Sequence, residues 1–260
     1  MVKKKLKTYD ERRMPFWDHL EELRWRLIRC IVSVVALSIV AYVFSTQIMN
    51  FLTRPFPQKL IFLTPTGGFM IQIKVSIFAG LILSLPVIFY QFWQFVAPGL
   101  LEKEKKYVPL VIFFTTLCFL TGAAFAYFVM IPIGLKFLLS FQTPNLVANI
   151  TIQEYLSFVS MLILAFGVTF ELPVLAYFLT RIGLLTPRFL REKRRYGIVV
   201  IVIVAAILTP PDVFSQILLS IPLIVLYEVS IIVSAVTLAA MRKRKLQEGL
   251  HEAVPAGQVR

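Results

Sequence analysis

The chain has 260 residues, of which 58% are hydrophobic and 13% aromatic, and its formal net charge is +13 at pH 7. Its mean hydropathy of +0.80 is well above that of a water-soluble domain of this length, so the composition excludes an ordinary soluble protein. A transmembrane helix needs about 20 predominantly apolar residues, and the intervals between charged residues provide six candidates. The sequence therefore predicts an all-α, polytopic membrane protein with six transmembrane helices.

The first 26 residues are predicted to form a basic segment that ends in an amphipathic helix lying on the membrane surface. Glu22 and Arg26 lie on one face of this helix. Two interpretations of Glu22 stay open: an ion pair with Arg26, worth only a few tenths of a kcal/mol, or a carboxylate that receives a ligand. Apolar residues recur on another face at helical spacing: Phe16, Leu20, Leu23 and Leu27.

Residues 27–240 are predicted to form the membrane domain. The interval between Arg195 and Asp212 holds at most sixteen uncharged residues, or about 24 Å of helix, against a hydrocarbon core of roughly 30 Å. Pro210-Pro211 then turns the chain, so short fifth and sixth spans are expected to form a tight hairpin. Residues 241–260 are predicted to be a basic, disordered tail. The first four spans are predicted at 27–49, 75–96, 108–131 and 156–179.

The basic residues predict the orientation of the chain. Of the 27 Lys and Arg residues, 23 lie in the N-terminal segment, the second-to-third loop, the fourth-to-fifth loop and the tail. Basic residues accumulate on the cytoplasmic side of membrane proteins, so both termini are predicted to be cytoplasmic. The net positive charge is then explained by this bias and by attraction to anionic membrane lipid. Nucleic-acid binding is not predicted, because no basic and aromatic RNA-binding pattern accompanies the charge.

Glu171 is the most informative residue inside a span. It lies about 15 Å of helix away from Arg181, close to the middle of a bilayer. A charged side chain at that depth costs about 3 kcal/mol on insertion scales, so it is expected to face protein or water and to be functional. A proton- or cation-coupled small-solute transporter would also place an acid there, with Lys74 and Glu228 as further polar positions.

Catalytic motifs are absent from the sequence, which contains no P-loop, HExxH or GxSxG pattern. Cys30 and Cys118 both fall in spans and form no CxxC motif, so no metal site, disulfide or cofactor is predicted. The chain is therefore not expected to be an enzyme. Energy for any transport would come from the membrane potential, an ion gradient or a partner.

The second-to-third loop ends one span at Pro98-Gly99 and starts the next with Glu102 and Glu104. Acidic residues in a first helical turn complement the helix dipole, which is the simpler interpretation of both. The alternative is that Glu22 and Glu104 are two cytoplasmic carboxylates that receive guanidinium groups, because the planar fork of arginine matches carboxylate geometry.

Four separated motifs occur in this order: His19-Leu-Glu-Glu-Leu-Arg24, Gln91-Phe-Trp-Gln-Phe-Val-Ala-Pro98, Ala165-Phe-Gly-Val-Thr-Phe-Glu-Leu-Pro173 and Leu208-Thr-Pro-Pro-Asp-Val-Phe-Ser-Gln216. Together they closely resemble the TatC family, the signal-recognising subunit of the twin-arginine protein translocase. The resemblance covers roughly residues 14–238. It implies a glove-like bundle of six spans with both termini cytoplasmic.

The resemblance also implies roles for individual residues. Glu22 and Glu104 correspond to the family's cytoplasmic site for the twin-arginine motif of signal peptides, with Glu102 as a second candidate acid. Glu171 corresponds to an intramembrane glutamate on the concave face. The remaining matches are His19, Arg24, Phe95 and Pro98 in or around the signal site, Pro55 in the first external loop, and Asp212 in the external turn between the last two spans.

The function implied by the resemblance is export of folded proteins across a bacterial-type cytoplasmic (inner) membrane, powered by the proton motive force. The partners implied are twin-arginine signal peptides and small single-span subunits of the TatA and TatB type, within an oligomeric complex. The small-solute transporter remains the alternative, although no internal repeat relates the two halves of the chain.

Overall fold

A computed structural model describes residues 16–96, 108–143, 149–208 and 213–253, and these residues are predominantly helical. Pro98, Glu102, Glu104 and Asp212 lie outside the described residues. In chain order the helices are α1 (Phe16–Val43), α2 (Ser45–Thr53), α3 (Gly67–Val96), α4 (Val108–Phe125), α5 (Ile131–Leu139), α6 (Ile152–Thr169), α7 (Leu172–Arg181), α8 (Pro187–Glu192), α9 (Arg194–Leu208) and α10 (Val213–Ala253), with a π-helical turn, Ala126–Met130, between α4 and α5.

The helices account for the six predicted spans. Five stretches are long and apolar enough to cross a membrane: Trp17–Val43, Gly67–Val96, Pro109–Leu139, Ile152–Arg181 and Gln216–Lys243. Helix α9, with 15 residues, is about 22 Å long, so the predicted fifth span is a helix and is short. The chain is therefore an all-α, multi-pass membrane protein.

The ends of several helices differ from the sequence prediction. The predicted surface helix and the first span are one continuous helix, α1, because no Gly or Pro interrupts the sequence there and its Glu, Leu and Arg residues favour helix. Helix α10 has 41 residues, so the sixth predicted span is not short. It also continues through the predicted disordered tail as far as Ala253, since the basic residues there are good helix formers and the next proline is Pro255.

Prolines explain two irregular points in the bundle. Pro173 lies in the first turn of α7, where its ring is incompatible with the helical carbonyl of Thr169, and the helix breaks at Phe170 and Glu171. Pro132 lies in the first turn of α5, directly after the π-helical turn. Its ring would also clash with the preceding helical turn, and a widened π-helical turn is a common response to such a clash. The fourth predicted span is thus two helices joined at Glu171.

Helix α1 packs along α3, and α6 lies in the centre of the core. Gly80 makes the close approach of α1 and α3 feasible, because a Cβ atom there would lie 2.5 Å from the backbone nitrogen of Ser38. The antiparallel pairing brings the first turns of α1 next to the last turns of α3. Buried α6 residues in the core include Leu156, Val159, Leu162 and Phe166.

The other end of the bundle holds α2 and the turn that follows it. The Tyr155 hydroxyl donates to the carbonyl of Leu52 at 2.9 Å, and the Tyr127 hydroxyl donates to the carbonyl of Phe51. Pro55 is half-buried in the turn after α2. These bonds fix α2 against the bundle at the end opposite Glu22.

Candidate functional site

A polar cluster forms where the start of α1 meets the end of α3. His19, Glu22 and Arg26 are spaced three and four residues apart, which places them on one face of α1. Gln91 and Phe95 are four residues apart and share a face of α3. We call these five residues the Glu22 cluster.

Glu22 is paired with Arg26 in this cluster. The Arg26 Nε donates to the Glu22 Oε1 at 2.8 Å, and Nη2 of the same guanidinium contacts the same oxygen. The remaining amino group of Arg26 donates to the Gln91 Oε1 at 3.3 Å. The ion pair that the sequence offered as one interpretation of Glu22 is therefore present, and it also links α1 to α3.

The second carboxylate oxygen of Glu22 is unsatisfied. Its Oε2 atom is buried and accepts no hydrogen bond from any described residue, and the His19 Nδ1 lies 3.6 Å away. A buried acceptor without a donor costs about 1–3 kcal/mol, more when it is charged. The geometry therefore favours the arrival of a further donor at this oxygen.

An aromatic stack covers the cluster. The rings of His19 and Phe95 lie 4.2 Å apart between centroids and are nearly parallel, with an interplanar angle of 10°. The side chain of His19 is 41% exposed, so this stack borders solvent. A flat, partly exposed ring beside a carboxylate is a surface on which a guanidinium can stack while it binds the acid.

Trp93 supports the end of α3 from the other side. Its side chain is 1% exposed and meets the ring of Phe178 edge-on at 4.4 Å. This contact ties α3 to α7.

The structure brings together only part of the predicted signal site. His19, Glu22 and Phe95 are neighbours, as described above. Arg24 is exposed and its guanidinium lies 6.0 Å from the ring centroid of Trp25, on a different face of α1. Gln91 was not predicted as a site residue; the available signal was an amide four residues before Phe95 in an otherwise apolar stretch.

Glu171 forms a second polar site, at the break between α6 and α7. Its side chain is 7% exposed, and its Oε1 atom is buried without a hydrogen-bond partner among the described residues. Two glycines bring α4 and α6 close together nearby: a Cβ at Gly122 would lie 2.6 Å from the carbonyl oxygen of Phe166, and a Cβ at Gly167 would lie 2.5 Å from the ring of Phe119.

Glu228 has a partner. The Arg194 Nη2 donates to the Glu228 Oε2 at 2.7 Å, and the hydroxyl of the adjacent Tyr227 donates to the carbonyl of Leu190 at 2.8 Å. The ion pair holds the start of α9 against the middle of α10, and the Tyr227 bond holds α8 there. Glu228 is therefore one half of an ion pair with Arg194.

Comparisons with known proteins agree with these motifs. The family model of the Sec-independent protein translocase protein (TatC) matches residues 18–222. The Sec-independent protein translocase protein TatC of Desulforapulum autotrophicum is 42% identical over 229 residues, covering 86% of this chain and 85% of that protein. The protein of the same name from Aquifex aeolicus is 40% identical over 243 residues, covering 90% of this chain and all of that protein.

A solved structure is also similar. A crystal structure of the twin-arginine translocase receptor TatC superposes on this chain with a TM-score of 0.76 and 39% sequence identity. It covers 84% of this chain and 99% of the crystallised one. Fold and sequence therefore lead to the same family.

Proposed function

Because the chain belongs to the TatC family of Sec-independent protein translocase proteins, we propose that it binds the twin-arginine signal peptides of folded cargo proteins through Glu22 and Glu104. A role in protein translocation follows from the family itself. The residues that bind the signal peptide, the partner subunits and the orientation of the protein in the membrane are what we propose beyond that role. The family favours this function over the small-solute transporter considered as an alternative.

The unsatisfied oxygen of Glu22 is the observation that carries the proposal. One carboxylate oxygen is held by Arg26, and the other is buried and has no donor among the described residues, so an incoming guanidinium would find an acceptor there. Arginine presents its donors in a planar fork, whereas the ammonium of lysine is a compact point charge. A site of this kind therefore selects arginine over lysine.

Phe95 and His19 give the site its shape. Their stacked rings offer a face on which the guanidinium lies flat, which adds a cation–π contribution of roughly 0.5–2 kcal/mol. Glu104, or Glu102 in its place, supplies the second carboxylate for the second arginine of the signal. Pro98 and Arg24 are included in the proposed site on the family resemblance alone. The apolar segment of the signal then enters the concave face of the bundle, where its burial drives insertion.

Binding of a fluorescent twin-arginine peptide to the purified full-length protein in detergent tests the site. Replacing Glu22 with Gln keeps its size but removes the charge, and a lost charge-assisted bond of about 1.5–3 kcal/mol corresponds to roughly a tenfold to hundredfold weaker affinity. We expect the same loss of affinity for the Glu104→Gln protein, and also when the wild-type protein is given a peptide with both arginines changed to lysine.

Glu21→Gln is the matched control. It removes the same charge from the neighbouring residue, whose side chain is exposed and outside the Glu22 cluster. The affinity of this variant for the twin-arginine peptide is therefore expected to stay within about twofold of the wild-type value. If the lysine peptide binds as well as the arginine peptide, or if Glu21→Gln weakens binding as much as Glu22→Gln, the site is elsewhere.

Glu171 is proposed as the contact for single-span partner subunits of the TatA and TatB type. Its buried oxygen has no hydrogen-bond partner among the described residues, which supports this role, because a polar group on a partner helix would satisfy it. The resulting oligomeric complex uses the proton motive force to export cargo. Co-purification of the partner subunits with this protein tests the role. We expect the Glu171→Leu variant to lose its co-purifying partners, whereas unchanged recovery of the partners with that variant refutes the role.

We further propose that the protein resides in a bacterial-type cytoplasmic membrane with both termini in the cytoplasm. The uneven distribution of Lys and Arg along the chain supports this orientation. In it, the Glu22 cluster faces the compartment in which cargo is made.

A further inference from the structure

A groove separates the short helix α8 from the C-terminal part of α10. It has a volume of about 560 Å³, within the range of roughly 300–1,000 Å³ found for small-ligand sites. Pro187 and Leu238 contribute apolar surface to its lining, and Leu238 is half-buried. None of these residues belongs to the Glu22 cluster or to the surroundings of Glu171.

Three arginines and one glutamate border the groove. Arg188 donates to the Glu192 Oε1 at 2.7 Å, and this bond raises the pKa of the Arg188 guanidinium. Arg191 and Arg242 also line the groove, and neither has an ion pair with any described residue. After the Arg188 pair is set aside, two uncompensated positive charges from two different helices face the same space.

The groove lies where a transmembrane helix leaves the apolar region. Arg242 is at the end of the candidate span Gln216–Lys243. Leu238 is four residues earlier, about 6 Å closer to the middle of that span. An occupant with a negative head and an apolar chain fits this order of charge and hydrocarbon, because basic pockets between transmembrane helices hold anionic headgroups.

We propose that this groove binds an anionic phospholipid, with the headgroup phosphate between Arg191 and Arg242 and one acyl chain against Leu238. The guanidinium groups bind phosphate oxygens through paired N–H donors. A zwitterionic phospholipid carries a compensating amine and is bound more weakly. A bound lipid would link α8 to α10 and stabilise the loop between α7 and α9.

Native mass spectrometry of the purified full-length protein in detergent tests the proposal with phosphatidylglycerol as the probe. We expect phosphatidylglycerol to remain bound in preference to phosphatidylcholine. Arg191→Gln and Arg242→Gln should each weaken phosphatidylglycerol binding by about fivefold, the effect of one basic residue near an anionic headgroup. Glu192→Gln removes the negative charge from the rim and should strengthen binding by a similar factor.

Arg195→Gln is the matched control, since Arg195 is an exposed arginine of α9 that lies over the ring of Tyr196 and outside the groove. It should leave binding unchanged. Equal retention of the two lipids, or an equal effect of Arg195→Gln, would overturn the proposal. Displacement of phosphatidylglycerol by inorganic phosphate at equal concentration would assign the site to a free anion and would overturn the proposal that it binds a lipid. Persistence of the lipid in excess phosphate supports it.

Discussion

Arg26 has two opposing effects on the carboxylate of Glu22. It holds one oxygen and, through its bond to Gln91, fixes the carboxylate against α3. It also places a positive charge where a signal arginine would have to approach. Two like charges about 5 Å apart repel by roughly 1–3 kcal/mol at the effective dielectric constants of a protein surface, whereas fixing a helical ion pair gains only a few tenths of a kcal/mol. Repulsion is therefore the larger effect.

Arg26→Gln is accordingly expected to raise the affinity for a twin-arginine peptide, by about fivefold for 1 kcal/mol of relieved repulsion. Arg26→Lys keeps the positive charge and should bind like the wild type. Fluorescence anisotropy with the labelled peptide measures both. A weaker affinity of Arg26→Gln would mean that the fixed orientation of Glu22 matters more than the repulsion.

Single residues were predictable from the sequence where the contact is local. The Glu22–Arg26 pair follows from a spacing of four residues within one helix. The stack of His19 on Phe95 and the bond from Arg26 to Gln91 join residues more than sixty positions apart. Such contacts depend on how two helices are aligned, which helical periodicity does not determine.

Glycines set the distance between neighbouring helices in this bundle. At Gly80 an added Cβ would lie 2.5 Å from the nitrogen and 2.6 Å from the Cα of Ser38. Both are backbone atoms, so the clash is relieved only if α1 and α3 move apart. Small residues at helix interfaces are a general feature of membrane proteins, where close packing replaces the hydrophobic driving force between helices.

Gly80→Ala is therefore expected to destabilise the protein by about 1–3 kcal/mol, the usual cost of overpacking. Gly134→Ala is the control: its Cβ would be 3.9 Å from the nearest side-chain atom, in Phe158. There the better helix propensity of alanine should leave stability equal or up to about 1 kcal/mol higher. Thermal unfolding in detergent separates the two variants. Equal melting temperatures would contradict the tight contact at Gly80.

The transmembrane spans were predictable in number, but the ends of the helices were not all predictable. Apolar intervals between charges located the spans. The sequence of α1 contains no stop signal, yet the charges at its start suggested a separate surface helix. The basic residues after the sixth span similarly suggested a disordered tail, but in the structure they continue helix α10. Charge reports where a helix leaves the apolar region, not where it ends.

Polar contacts mark the two opposite ends of the helical bundle. The His19–Phe95 stack and the Arg194–Glu228 pair lie toward the end where α1 starts, α3 ends and α9 starts. The opposite end holds α2 and the bond from Gln58 to Gln142. The assignment of loops to two ends by counting Lys and Arg agrees with the alternating directions of consecutive long helices. The hairpin of α9 and α10 was predictable as well, although its side-chain ties, such as Gln216 to the carbonyl of Val202, were not.

This arrangement predicts where reporter proteins fold when they are attached to the chain in a bacterium. Green fluorescent protein fused after Arg260 should fluoresce and alkaline phosphatase at that position should be inactive, because the basic end of the molecule stays in the cytoplasm. Alkaline phosphatase inserted after Gln142, at the end with few basic residues, should be active, and green fluorescent protein there should be dark. The two reporters control for each other's expression. Since the Glu22 cluster lies at the same end as the basic loops, the reverse pattern would put the carboxylate on the side that cargo reaches only after export, and it would exclude Glu22 as a signal receptor.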